Sequence, residues 1–237
     1  MFSNKLNASL AIVNLPMSGR RQKVTDEDVF AGAQRAMSRR GPHELTLTDI
    51  AGEAGVTPGR LVQRFGSKRA LLAALSRRFA GSAGSVFAGL RAAHRGPLAT
   101  LRAYAACMAD LAPTPETLLR NLAYLQGDLA DDVLRGHLLE NAHASRREIE
   151  ALLTAAIAAG ELRRHVDVCS LARTVEIAIS GSLMCWATYR EGKAVDWIGV
   201  DLEAVLAPWL RPPHAASATA SGRKRGTSKR RRPVPRG

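Results

Sequence analysis

Residues 46–68, TLTDIAGEAGVTPGRLVQRFGSK, hold two short helical patterns joined by one tight turn. Thr48 stands just ahead of Asp49, Ile50 and Ala51, where a hydroxyl accepts from the unpaired amides of a helix start. Asp49 suits the positive end of the helix dipole. Ile50, Ala51 and Ala54 make one narrow apolar stripe, and Gly55 supplies the left-handed residue that ends a helix. Thr57 reads as a second cap, with Pro58 at the first helical position, where its missing amide costs nothing. Pro58, Leu61, Val62 and Phe65 recur at i, i+3, i+4 and i+7, which predicts a buried face. Arg60, Gln63 and Arg64 fall on the opposite, outward face. Gly66 stops this helix and Ser67 caps the next.

Two capped helices around a glycine turn form the helix-turn-helix pattern. A slim basic helix fits a major groove about 12 Å wide, where arginine pairs with guanine and glutamine with adenine. An ordinary helical corner with a solvated face would carry the same caps, so a wider match is needed to separate the two. The run LTLTDIAGEAGVTPGRLVQRFGSKRALLAAL resembles the DNA-binding signature of the TetR family of bacterial transcriptional regulators. The residues that carry the resemblance are Thr48, Ile50, Ala51, Ala54, Gly55, Val56, Thr57, Leu61, Phe65, Lys68, Leu71 and Leu72. Val62 departs from it, standing where the family usually has a tyrosine whose hydroxyl touches a backbone phosphate.

The placement of charge agrees with a nucleic-acid partner. The chain has 237 residues and a net charge of +13, with 46% apolar residues, enough for one large or two modest domains. Residues 20–79 carry 12 Lys/Arg against 6 Asp/Glu, whereas residues 80–210 carry 12 against 15. Residues 211–237 add nine basic groups and no acid. A positive field at the helix-turn-helix end and at the two tails is the footprint of a DNA binder joined to a roughly neutral unit. Cys107, Cys169 and Cys185 are widely spaced and are expected as reduced thiols packed like small apolar residues. No apolar run reaches the ~18 residues of a membrane span, so the chain is expected in the cytoplasm. Residues 1–19 are expected to be a disordered arm, with Met17 an alternative start to Met1.

Elsewhere the pattern is helical throughout. Thr25 with Asp26, Glu27 and Asp28 predicts a capping box on a first helix whose inner face is Phe30, Ala33 and Met37. A fourth helix runs from about Ser67 to Phe79, and residues 81–96 either continue it or break it. Helices follow at 97–112, at 115–130 with Leu118, Leu122, Leu125 and Leu129, and at 131–159 before Gly160. Two final helices are expected near 168–190 and 194–210, apolar on more than one face. Residues 211–237 have almost no large apolar groups and read as a solvated basic tail. There is no phosphate-binding glycine loop and no Gly-x-Ser-x-Gly. His137, Glu140 and His143 share a helix, but the two histidines lie about 240° apart around it and cannot chelate one ion. No catalytic centre, cofactor or metal is therefore expected.

The resemblance implies an all-α protein of about nine helices. A helix-turn-helix domain at 20–80 would be followed by a ligand-binding and dimerisation bundle at 81–210. It implies a homodimeric repressor that leaves a palindromic DNA operator when a small-molecule effector binds. Arg60, Gln63 and Arg64 are the expected groove contacts, beside Thr57, Pro58 and Gly59. Thr46, Thr48, Ser67 and Lys68 are expected on phosphates. Tyr104, His137 and Trp186 are candidates for the effector pocket. Ile179, Leu183, Trp197, Leu202, Val205 and Leu206 are candidates for the subunit interface. The alternative is a nucleoid-like protein that coats DNA through its basic tails.

Overall fold

A computed structural model describes residues 24–211. The arm expected at 1–19 and the tail expected at 211–237 lie outside the described residues, apart from Arg211. The described chain is all-α. Its helices are α1 (Asp26–Arg39), α2 (Leu47–Ala54), α3 (Pro58–Phe65), α4 (Lys68–Ala80), α5 (Ala83–Ala93), α6 (Pro97–Asp110), α7 (Pro115–Ala130), α8 (Asp132–Ala158), α9 (Val168–Tyr189) and α10 (Ala194–Leu206). A short 3-10 turn, Ala207–Trp209, follows. The break within 81–96 yields the separate helix α5, so ten α-helices stand among the described residues.

Apolar side chains gather into two buried clusters. The first joins α1 to α4 through Val29, Phe30, Leu45, Ile50, Leu61 and Leu71. The second joins α5 to α10 through Phe87, Leu101, Leu118, Leu153, Val175 and Leu202. Helix α7 crosses between them: Tyr124 is buried in the first cluster, and its hydroxyl donates to the Arg40 carbonyl at 2.9 Å. Beside that contact, Arg69 at the start of α4 reaches the Asp131 carboxylate with Nε at 2.9 Å and Nη2 at 2.6 Å. Asp131 also caps α8, accepting from the amides of Val133 and Leu134. Helix α8 therefore starts at the joint, and its 27 residues carry it about 40 Å away.

Several expectations shift in detail. Leu129 is exposed because α7 turns Asn121 and Tyr124, not Leu125 and Leu129, toward its neighbours. Cys107 is half-buried, but Cys169 and Cys185 are exposed rather than packed; all three are free thiols. Helix α9 is long and apolar enough to cross a membrane by length and composition, contrary to the expectation from the sequence. It carries Arg173 and Glu176, and it packs against α10 and α8. An apolar helix inside a bundle passes the same test.

Four of the six residues expected at a subunit interface face inward. Ile179, Leu183, Leu202 and Leu206 are buried in the chain's own second cluster, and Trp197 and Val205 are packed against it. With apolar groups all round a helix, periodicity alone does not say which side meets the rest of the chain. The large apolar side chains left outward on α9 and α10 are instead Ile177, Met184, Tyr189, Val195 and Val200.

Candidate nucleic-acid interface

The turn between α2 and α3 is built from the ends inward. Thr46, not Thr48, caps α2: its hydroxyl accepts from the Asp49 amide at 3.1 Å, and the Asp49 carboxylate accepts from the Thr46 amide at 2.9 Å. The Thr46 hydroxyl also donates to that carboxylate at 2.6 Å, and this bond with the one from the Thr46 amide favours the ionised carboxyl and holds Asp49 below its ordinary pKa, with the Arg40 guanidinium adding to the effect. Asp49 is the third residue of α2, where a capping box needs its acid; from Thr48 it would be the next residue and out of reach. Gly55 then adopts φ 67°, and Val56 N–H returns to the Ala51 carbonyl at 3.0 Å. That closed turn leaves room for one residue before α3. Thr57 caps α3 by accepting from the Arg60 amide at 3.3 Å, with Pro58 at the first position.

Helix α3 is seated by one plug, Leu61, which is 1% exposed. Phe65 adds a tilted contact with Phe30, 5.9 Å between ring centroids. Pro58 and Val62, both expected inside, are exposed, because an eight-residue helix resting on a small cluster turns only a narrow strip toward it. Gly59, Arg60 and Gln63 are exposed beside them.

Arg64 is placed differently from Arg60 and Gln63. Its Nε lies 2.5 Å from the Asp26 carboxylate, Nη1 donates to the Val24 carbonyl at 3.0 Å, and the guanidinium sits over the Phe65 ring. It ties the end of α3 to the start of α1. Lys68 is also turned to the fold: its Nζ donates to the Leu45 carbonyl at 2.7 Å, with the Pro42 carbonyl at 3.4 Å, so it fixes the α1–α2 loop against α4. Ser67 caps α4 through the Ala70 amide at 3.1 Å. Thr46, Thr48, Thr57 and Ser67 are all exposed at the starts of α2, α3 and α4.

Two contacts that hold this unit together were not readable from local sequence. A Cβ on Gly32 would lie 2.8 Å from the backbone of Ala54, so α1 and α2 cross at a distance only glycine permits. Arg35 and Arg39 both converge on Glu53, locking the same crossing. A lone glycine inside a helical pattern was the available signal for the first; the second had none.

The effector candidates are spread through the second cluster. Tyr104 is buried and stacks on Phe87 at 4.5 Å, and burial pushes its hydroxyl up to about 12. Trp186 is buried, with its indole N–H on the Gly192 carbonyl at 3.2 Å. His137 is half-buried, with a buried Nδ1 that makes no hydrogen bond; Arg120 Nε is in the same condition. Among the described residues no group of three His, Cys, Asp or Glu side chains is placed to hold a metal ion.

Residues 29–75, the span from the core of α1 to α4, match the family described as bacterial regulatory proteins, tetR family. Residues 29–75 thus carry the DNA-binding domain of that family. Solved structures share its fold. A TetR transcription regulator from Haloarcula marismortui aligns with a TM-score of 0.62 at 18% identity, covering 78% of this chain and 98% of that one. A putative transcriptional regulator from Saccharomonospora viridis, in complex with choline, aligns at 0.65 and 18% identity, covering 79% and 98%. The transcriptional regulator FadR from Bacillus subtilis, in complex with stearoyl-CoA, aligns at 0.59 and 17% identity, covering 77% and 98%. No curated protein is significantly similar in sequence. The matched span contains α2 and α3, the helix-turn-helix, and the rest of the chain shares the fold of these regulators.

Proposed function

We propose that this regulator is a cytoplasmic repressor that occupies a palindromic operator as a homodimer and leaves it when a small-molecule effector binds. Residues 20–80 act as the DNA-binding unit and residues 81–210 as the regulatory one. The observation that carries the reading is the outer face of α3, where Gly59, Arg60 and Gln63 are exposed on a helix capped at its start and seated by Leu61. Arg60 and Gln63 supply groove contacts. Thr48, Thr57 and Ser67, at three helix starts, suit phosphate oxygens. Lys68 acts by holding the loop that presents α2.

The second subunit is expected on α9 and α10. Ile177, Gly181, Met184 and Thr188 recur at helical spacing along one exposed stripe, and Val200 on α10 is 70% exposed. A stripe of this kind fits a second copy better than water. Two copies of α3 must then stand about 34 Å apart to meet successive major grooves. An effector releases DNA only by favouring another spacing. The buried, unpaired Nδ1 of His137 supports an effector with a polar atom, since a buried unsatisfied group is unfavourable until it is met.

Gel-shift titration tests the DNA role. Arg60→Ala is expected to lose operator preference by about 1–3 kcal/mol. Equal losses on operator and random duplex would overturn base reading. Deleting residues 211–237 is expected to keep the site preference; loss of all binding would favour a protein that coats DNA through its tail. Ile177→Asp with Val200→Asp is expected to give monomers by light scattering.

A further inference from the structure

Val62 is the one apolar side chain exposed in the middle of α3, 47% exposed on a helix whose only buried residue is Leu61. Helical geometry fixes its bearing. With about 100° per residue, Gly59 and Gln63 point away from Leu61, while Arg60 and Val62 flank that line on opposite sides. Arg64 is withdrawn by Asp26 and the Val24 carbonyl. The surface left to meet a base edge is therefore Gly59, Arg60, Val62 and Gln63. Three of these have readily named partners: close backbone approach for glycine, guanine for arginine, adenine for glutamine. Valine has no donor or acceptor, and the major groove offers one apolar group, the 5-methyl of thymine.

We propose that Val62 is a specificity-determining residue that packs its methyl groups on the 5-methyl of one thymine in each half-site. The inference rests on the reading of α3 as the groove helix and adds a base that this chain selects. Phosphate positioning then falls to the helix starts, since valine has no hydroxyl to give a phosphate.

The test begins with duplexes enriched from a random pool by the full chain. Each thymine of the enriched half-site is replaced singly by deoxyuridine, which removes only the methyl group. Affinities are read by fluorescence anisotropy for the wild-type chain and for Val62→Ala. The expected result is one thymine per half-site whose methyl is worth about four-fold to the wild-type chain, roughly one buried methyl group. The same replacement should leave Val62→Ala unchanged. Val62 is half-exposed and stands outside the buried cluster that seats Leu61, so the circular dichroism of Val62→Ala should match the wild type. A half-site without thymine, methyl replacement without effect, or a methyl effect that persists in Val62→Ala overturns the proposal while leaving the regulator reading in place. Failure to enrich any sequence overturns both.

Discussion

Helix α3 has eight residues and buries one of them, whereas α9 has 22 and buries seven. Both must hold a fixed tilt, one toward DNA and one within a bundle, but by opposite means. Helix α9 is positioned along its length by Leu171, Val175, Ile179, Leu183 and Trp186. Helix α3 is positioned at its ends, by Thr57 and Pro58 at the start, Gly66 at φ 81° at the stop and Arg64 tied back to α1. A helix that must offer most of its surface to another molecule has little left to bury, so its placement depends on caps and one plug. Damage to the two helices should therefore read out differently.

The largest effect is expected from the plug. Leu61→Ala removes the only buried side chain of α3 and should cost about 3 kcal/mol. Trp186 lies in the second cluster and Trp197 and Trp209 pack against it, so tryptophan fluorescence reports that cluster, while circular dichroism reports both. The ellipticity transition in denaturant should move further than the fluorescence one. Coincident shifts would show that the two clusters unfold as one unit and would erase the contrast.

Gly32→Ala comes next, at about 2 kcal/mol, since the new methyl meets the backbone of Ala54 at 2.8 Å and backbone does not swing aside. Operator binding should fall with it, because α2 carries the turn that presents α3. Thr57→Ala should cost about 1 kcal/mol through the lost cap. Its matched control is Asp167→Ala, which removes the acceptor for the Ser170 amide at the start of α9. That change should leave operator affinity alone, because seven buried residues still hold α9. Equal losses of operator affinity from the two caps would break the comparison.

The same contrast explains what could be read from sequence. The turn, its glycine, the Thr57–Pro58 start and the outward Arg60 and Gln63 follow from local chemistry, which a single sequence carries in full. The cap of α2 was misplaced by two residues because Thr46 and Thr48 both precede the apolar stripe; only the three-residue spacing from Thr46 to Asp49 lets the box close. The burial of Val62 was misread because i, i+4 periodicity assumes a wide buried strip, and this helix has a narrow one. Arg64 meets Asp26 and Lys68 meets Leu45 across the fold, so each looked free for DNA until neighbouring helices were in place. On α9 and α10 the apolar residues are plentiful on both sides, and only the packing of α6 to α8 separates those facing the core from those facing out.

The smallest effect is expected from acid, and it should appear first in the N-terminal unit. Asp28 and Asp49 each close a capping box, on α1 and α2, and each is held below the ordinary carboxyl pKa mainly by its bonds to Thr25 and Thr46. A carboxyl with a lowered folded pKa contributes stability that is fully present above its unfolded value, here 3.8, and is lost as pH falls through the folded one. Amide exchange followed by NMR from pH 5 downward should therefore show α1 and α2 starts losing protection below about pH 4. Thr46→Ala should already lack that protection at pH 5, because without the hydroxyl the Asp49 amide has lost its side-chain partner. The three tryptophans of the second cluster should keep their emission over the same range. If they changed before the α2 amides opened, acid would be acting on the bundle, and the end-capped helices would not be the weaker half of the molecule.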